Sequence, residues 1–399
     1  MLRILFTGGG TGGHIYPILA VTEELQISSG QMDLELYYFG AAGQYQKLLE
    51  TNGIQVAKIL SAKIRRYSDF RNFIDILILF PLSVVQALWK VFWLMPDVLF
   101  SKGGPGSLPV AFACHIYRVP IIIHDSDSIV GLANRMAIPW ANKVAVSFDS
   151  AIEPLLQKFK NSEKLRGKIG LVGNPVRRSL VSGAILQKQA GKRLFGFDSE
   201  KPMILIVAGS QGAVKINNFM LEIAEELIKD FSAQGGPASG WQILHQTGVK
   251  NFNEVKNELD IIMKNHSEEE KKCYKIVPYF EKNLKDAYAA ADLIVCRGSA
   301  GSIFEAAAFG KPAILVPLSS EVAGEHQIAN AYEYAKTGAA IVIEEENLKP
   351  NLFMAQLKSL FSDSEKLNSM SEAAKNFAKP EAAKIIAEEI LRLGAKSGE

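Results

Sequence analysis

Two stretches of this chain follow one plan: an apolar run, a glycine turn and a helical segment. In the first, Leu2 to Phe6 reads as a β-strand, Thr7-Gly8-Gly9-Gly10-Thr11-Gly12-Gly13-His14 as the turn, and Ile15 to Leu25 as the helix. In the second, Met203 to Ala208, Gly209-Ser210-Gln211-Gly212-Ala213 and Val214 to Ile228 take the same parts. Strand, turn and helix in that order make half of a crossover between parallel strands, so each stretch commits its neighbourhood to a sheet with helices on both faces. Short apolar runs extend both series. They are Leu34–Phe39, Val98–Phe100, Ile121–His124 and Lys143–Ser147 in the first, then Trp241–Gln246, Tyr274–Val277, Asp292–Cys296, Pro312–Val316 and Ala340–Ile343 in the second. A charged stretch, Gln157 to Lys168, and the turn Gly173-Asn174-Pro175 separate them. The expected architecture is α/β: two similar doubly wound parallel-sheet domains facing a cleft, residues 1–172 and 173–399. A chain of 399 residues, 48% of them hydrophobic, suffices for two such cores.

In open parallel sheets ligands gather beyond the carboxyl ends of the strands. In the first domain that places Thr7–His14, Ser101–Pro109 and Asp125–Asn134 around one crevice. Glycines in the first loop let a backbone approach an anion, and the helix that follows offers unpaired N–H groups. Gly8, Gly10 and Gly13 satisfy G-x-G-x-x-G, yet the second strand closes on Gly40-Ala41-Ala42-Gly43 with no carboxylate for a ribose, which argues against a dinucleotide cofactor. His14 is the one side chain of the loop able to move a proton near pH 7; the plain alternative is a helix-start residue with no chemical duty. Lys102-Gly103-Gly104-Pro105-Gly106-Ser107 forms a second donor-rich turn.

In the second domain, Gly209–Ala213 lacks the Lys-Ser/Thr of a triphosphatase loop but can cradle a diphosphate with its backbone and Ser210, with Arg177 or Arg178 as a fork of donors. Arg297-Gly298-Ser299-Ala300-Gly301-Ser302 opens the helix bearing Glu305, whose carboxylate suits both hydroxyls of a ribose. A first-turn acid complementing the helix dipole is the alternative for Glu305. His326 and Gln327 put an imidazole and an amide at another helix start, as sugar hydroxyls require.

Between the second and third strands, Lys58 to Met95 carries Lys58, Lys63, Arg65, Arg66 and Arg71 and then the apolar run Phe73–Met95. The run is long enough to span a bilayer, but one span would put the Thr7–His14 and Ser101–Pro109 loops on opposite sides of it. The expectation is crossover helices that show an apolar patch, rimmed by basic residues, to an anionic membrane surface; a wholly buried crossover helix is the alternative. Three distant cysteines without zinc spacing read as reduced core residues, and hence as cytosolic. The chain opens directly on a strand, which reads as having no signal peptide. A net charge of +2 gives no footing for a nucleic-acid partner. Charged amphipathic helices at Asn351–Phe361, Ser364–Ala378 and Glu381–Leu393 close the chain.

TGGGTGGHIYP, GNPVR, GSQGA, CRGSAGSIFEAAAFGKPAILVP and HQIANA, in that order, resemble the MurG-type UDP-N-acetylglucosamine transferases of glycosyltransferase family 28. The resemblance spans nearly the whole chain. It implies the GT-B fold of two Rossmann-like domains, with the last helix, about residues 381–393, packing back on the first. It also implies inverting transfer of N-acetylglucosamine from UDP-N-acetylglucosamine to the 4-hydroxyl of undecaprenyl-diphosphate-linked N-acetylmuramoyl peptide, lipid I to lipid II, at the cytoplasmic face of the membrane. No metal or cofactor is implied; other cell-wall synthesis and division proteins are the expected protein partners. Residue by residue, it makes His14 the general base. The donor would be held by Arg177, Ser210, Gln211, Gly212, Arg297, Ala300, Glu305, His326 and Gln327. The acceptor would meet Thr11, Gly12, Gly13, Gly103, Gly104, Ser107 and Asp127.

Two departures fall on the acceptor side. His124-Asp125-Ser126-Asp127 stands where the family usually has His-Glu-Gln-Asn, and Gly103-Gly104-Pro105-Gly106-Ser107-Leu108-Pro109 where it has Gly-Gly-Tyr-Val-Ser-Gly-Pro. They keep open a GT-B enzyme acting on another lipid acceptor or hydrolysing a UDP-sugar. A non-catalytic nucleotide-sugar-binding protein is the remaining alternative.

Overall fold

In the computed structural model, which describes all residues except 61–74, 183–184, 208, 210–211, 233–239, 281, 321–324 and 398–399, the strands form two all-parallel sheets. The first sheet holds β1 (Leu2–Gly8), β2 (Leu34–Gly40), β3 (Ile54–Ala57), β4 (Val98–Ser101), β5 (Ile121–Asp125), β6 (Lys143–Val146) and β7 (Ile169–Leu171), in the order β3-β2-β1-β4-β5-β6-β7. The second holds β8 (Met203–Val207), β9 (Gln242–Gln246), β10 (Tyr274–Val277), β11 (Leu293–Cys296), β12 (Ala313–Leu315) and β13 (Ala340–Val342), in the order β10-β9-β8-β11-β12-β13. The helices that bear on function are α1 (Gly12–Ser28), α2 (Phe80–Leu94), α3 (Ser107–Ile116), α4 (Leu132–Ala137), α5 (Val214–Glu222), α6 (Leu284–Ala290), α7 (Ala300–Ala308), α8 (His326–Ala335) and α9 (Ala382–Ser397).

Each strand order reverses once, between β1 and β4 and between β8 and β11. Within each sheet, the loops leaving that pair of strands flank the crevice where such a sheet takes ligands. The register fixes this: Thr7 pairs with Ser101, and Val207 with Cys296, so each pair of turns starts level.

The central strands are apolar on both faces because both are covered. Leu5, Leu99 and Ile123 point into one layer with Ala87 and Val91 of α2 and Val110 and Ala111 of α3. Ile4, Phe6, Phe100 and Ile122 point into the other with Ile15 and Ile18 of α1 and Ile386, Ala387 and Ile390 of α9. The closing helix is thus part of the first domain's core, and a methyl on Gly394 would come 2.8 Å from Leu2 Cδ1, a close approach that glycine permits. The compact units are Met1–Arg178 with Lys379–Glu399, and Ser179–Ala378.

Three elements differ from the sequence reading. Edge strands β3 and β7 were not anticipated; they are three or four residues long and only partly buried, so neither carries a long apolar run. The segment Val214–Ile228, read as one helix, is two. Ile223 leaves helical geometry at φ −96, ψ 0 and buries its side chain, and a second helix, Ala224–Ser232, follows.

Candidate active site

The turns after β1 and β4 are built against each other. Lys102 N donates to the Thr7 carbonyl at 2.9 Å, and Tyr38 Oη from β2 donates to the Gly8 carbonyl at 2.8 Å, which fixes the start of the glycine loop. A side chain at Gly9 would run into the His14 ring, with Cβ 2.7 Å from Nδ1. Gly104, at φ +90, would put a Cβ 2.9 Å from Gly9 N. These two glycines are what let the loops close around His14. Thr11 and Gly13 are exposed at the rim and Gly12 is half-buried, so this part of the loop remains open to a ligand. Gly103 and Ser107, expected to touch the acceptor, are buried. Asn134 packs on Gly103, and Ser107 Oγ donates to the Gly104 carbonyl at 2.8 Å, so both shape the turn from beneath.

His14 lies in the first turn of α1, half-buried, with Nδ1 3.1 Å from Thr11 Oγ1. The tautomer in which Nδ1–H donates to the threonine leaves the Nε2 lone pair open as a proton acceptor. Desolvation in the packed loops, and then the charge of Lys102, push its pKa down to about 4, while Asp127 pulls the other way. The imidazole is therefore neutral at pH 7, the form a general base requires.

The turn after β5 is organised by buried Asp125. Its Oδ2 accepts from Gly131 N at 2.9 Å and from Asn134 Nδ2 of α4 at 2.8 Å, and its Oδ1 from Asp127 N at 3.1 Å. Burial, with Asp127 second, raises the Asp125 pKa. Asp127 itself is half-buried beside His14 and Lys102. Arg177, past the Gly173-Asn174-Pro175 turn, lays its guanidinium 4.9 Å from the centroid of the Tyr16 ring of α1, and Arg178 pairs with Glu24 at 3.4 Å.

In the second unit, Gly209 and Gly212 both take positive φ, and a Cβ on Gly212 would meet Thr247 O at 2.4 Å. Ser210 and Gln211 lie outside the described residues. Glu305, in the second turn of α7, accepts from Tyr288 Oη of α6 at 2.9 Å, and Tyr288 is fully buried. Ala300 is the first residue of α7, behind the capping Ser299, whose Oγ accepts from Ser302 N. His326 and Gln327 open α8. Gln327 Oε1 accepts from Leu318 N at 3.1 Å, and its backbone carbonyl would be 2.4 Å from a Cβ on Gly298, so α8 closes over the β11 turn.

Arg297 is engaged within the second unit. Its Nη1 donates to Glu345 Oε1 at 2.6 Å and to the Val316 carbonyl at 3.1 Å, and its side chain is 11% exposed. Glu345 also takes Lys215 Nζ of α5 at 2.9 Å. Burial alone would raise the Glu345 pKa, but the two cations hold it below the ordinary carboxylate range. Arg297 thus staples the turns after β11, β12 and β13. The sequence offered no signal for Glu345, which sits within Glu344-Glu345-Glu346 and reads as solvated charge.

Helix α2 continues a π-helical turn, Asp75–Leu79, and ends where Met95 turns left-handed (φ 44) before Pro96. Leu77–Leu94 has a mean hydropathy of 1.8, long and apolar enough to cross a membrane, and only 17% of it is buried. Ser83, Ala87 and Val91 face the domain; Leu82, Val85, Trp89, Phe92 and Trp93 face outward. A crossing is incompatible with the contact between the Gly9 and Gly104 turns. Of the basic residues expected around the patch, Lys63, Arg65, Arg66 and Arg71 lie outside the described residues, whereas Lys58 is exposed beside the helix, its carbonyl accepting from Lys90 Nζ at 3.2 Å.

Residues 4–146 match the glycosyltransferase family 28 N-terminal domain and residues 203–386 the family's C-terminal domain. A UDP-N-acetylglucosamine–N-acetylmuramyl-(pentapeptide) pyrophosphoryl-undecaprenol N-acetylglucosamine transferase of Clostridium botulinum is 33% identical over 380 residues, 94% of this chain and 95% of the relative. Its counterpart in Clostridium tetani is 33% identical over 91% of each chain. Among solved structures, Acinetobacter baumannii MurG superposes with a TM-score of 0.70 at 23% identity, covering 98% of this chain and all of the other. A Neisseria meningitidis UDP-GlcNAc 2-epimerase bound to UDP-GlcNAc gives 0.64 at 14%, covering 98% and 100%. Likeness at these identities concerns the fold.

Proposed function

Because the chain belongs to glycosyltransferase family 28, we propose that it transfers N-acetylglucosamine from UDP-N-acetylglucosamine to the 4-hydroxyl of undecaprenyl-diphosphate-linked N-acetylmuramoyl peptide, completing the lipid-linked disaccharide of peptidoglycan. The observation that carries this reading is agreement with transferases of that name over nearly the full length of both chains. A neutral His14 at the mouth of the first crevice supports it chemically.

The reaction is a single inverting displacement. His14 takes the proton of the acceptor hydroxyl, whose oxygen attacks the anomeric carbon from the face opposite the leaving group, and UDP departs. Thr11, Gly12, Gly13 and Gly104 form the acceptor rim. Negative charge grows on the departing diphosphate, and the N-terminus of α5 neutralises it. Glu305, held by Tyr288, accepts the ribose hydroxyls, and His326 and Gln327 orient the sugar. The outward face of α2 rests on the anionic cytoplasmic surface of the membrane, with Trp89 and Trp93 at headgroup level. That places the enzyme at the membrane as a peripheral protein, where its lipid acceptor is.

Product analysis with labelled UDP-N-acetylglucosamine separates the alternatives. Label in the lipid fraction only when the muramoyl acceptor is present supports the transfer. Free labelled sugar points to hydrolysis, and label on a different lipid to another acceptor.

A further inference from the structure

Ser126 and Asp127, from one of the two acceptor-side departures from the family pattern, share their surroundings with a residue the sequence reading left out of the site. Lys102 turns inward at the end of β4 and is 2% exposed. Its Nζ contacts His124 Nδ1 and lies 2.7 Å from Ser126 Oγ. The partners dictate the direction of each bond. The Gly173 carbonyl only accepts, so His124 Nε2, 2.8 Å away, carries the ring proton, and Nδ1 offers a lone pair to the lysine. Ser126 accepts from Lys102 and donates to Asn174 Oδ1 at 2.8 Å. Two elements are therefore arranged to receive protons from this one buried amine.

His14 flanks the same spot. A Cβ on Gly8 would lie 3.3 Å from the Cβ of His14 and 3.4 Å from that of Lys102, so the two side chains diverge around a glycine too small to separate them. Lys102 from the turn after β4 and Asp127 from the turn after β5 are the charges that act on His14. Behind them stand His124 and Asp125 of β5, and Tyr38 of β2 reaches the Gly8 carbonyl. Burial draws the Lys102 pKa down to about 7, against the pull of Asp125 and Asp127.

We propose that Lys102 is a positioning residue of the acceptor site: its buried charge, oriented by His124 and Ser126 and opposed by Asp127, sets whether His14 carries a proton. The inference rests on the reading of His14 as the general base. An acceptor diphosphate bound at the glycine loop would favour the imidazolium and so disarm that base. The Lys102 ammonium, charged below its pKa of about 7, offsets this effect.

The test is an NMR titration of His14 in the intact free protein, compared among wild type, Lys102→Met and Asp127→Asn, with pH profiles of kcat/KM alongside. Removing the cation should move the His14 midpoint up by roughly 0.5–2 pH units, the span Coulomb's law gives for a full charge several ångström away between dielectric constants of about 80 and 20. Removing Asp127 should move it down. Lys102→Gln, which drops the charge but keeps donors for His124 and Ser126, replaces Lys102→Met if the latter does not fold. A purely structural lysine would lower the rate without displacing the midpoint, and an unmoved His14 in the lysine variants overturns the proposal. If the NMR midpoints move in opposite directions and the rate profiles do not follow, Lys102 stands as inferred and the base role of His14 falls.

Discussion

Gly9→Ala is a small change with a large expected effect. Gly9 does not take a positive φ, so alanine fits its backbone, and the substitution restricts the unfolded chain rather than straining the folded one. The new methyl, however, would sit 2.7 Å from His14 Nδ1 and 2.8 Å from Cε1. The loop cannot retreat, because Gly104 meets Gly9 from one side and the Ala41 carbonyl crowds Gly10, where it would lie 2.3 Å from any Cβ. The imidazole must move instead. A misplacement of about 1 Å in a catalytic group costs roughly 100-fold in rate, or about 2.7 kcal/mol of barrier. The variant should therefore lose about two orders of magnitude in kcat while its melting temperature and its calorimetric affinity for UDP stay near wild type. A stable Gly9→Ala protein with undiminished kcat would refute the placement of His14 as the base.

Further perturbations separate the remaining roles. Glu305→Ala should weaken UDP binding by roughly 10- to 150-fold, the worth of about 1.5–3 kcal/mol for hydrogen bonds to a charged group, and unaltered affinity in calorimetry would remove its ribose role. Glu345→Ala strands the Arg297 guanidinium inside the second domain and should cost about 3–5 kcal/mol, read as lost amide-exchange protection around β11 to β13. Trp89→Ala with Trp93→Ala should lower sedimentation with anionic vesicles at least tenfold, since burial of a large apolar side chain is worth roughly 1.5–3 kcal/mol; both rings are mostly exposed, so thermal stability should not change. His14 and His245 have pKa values pushed down by burial to about 4 and about 3. The unfolded chain, with histidines near 6.5, binds their protons first, so stability should fall as the pH drops from about 6.5 toward 4. A flat unfolding midpoint over that interval would contradict the desolvation of these rings.

The fold was legible where the physics is local. Apolar runs buried on both faces, such as Leu2–Phe6 and Met203–Val207, identify themselves, and a glycine turn followed by a helix gives their direction. Strands β3 and β7 escaped because an edge strand buries little and needs little apolar sequence. In the site, His14 and Glu305 were legible because their motifs sit at the ends of recognisable strands. The Lys102–His124–Ser126 cluster and the Arg297–Glu345–Lys215 staple were not, since their members lie up to 130 residues apart and only the sheet order brings them together. Lys102 did leave a trace: a lone lysine directly after the buried run Val98–Ser101 needs a partner.

The most direct test of the central claim is mass spectrometry of the lipid-linked muramoyl peptide after incubation with the protein and UDP-N-acetylglucosamine. The lipid should gain one N-acetylhexosamine for each UDP released, and His14→Ala should slow this gain by about 10²- to 10⁴-fold without changing UDP affinity. UDP release with no gain of mass on the lipid, or a full rate from His14→Ala, would contradict that claim.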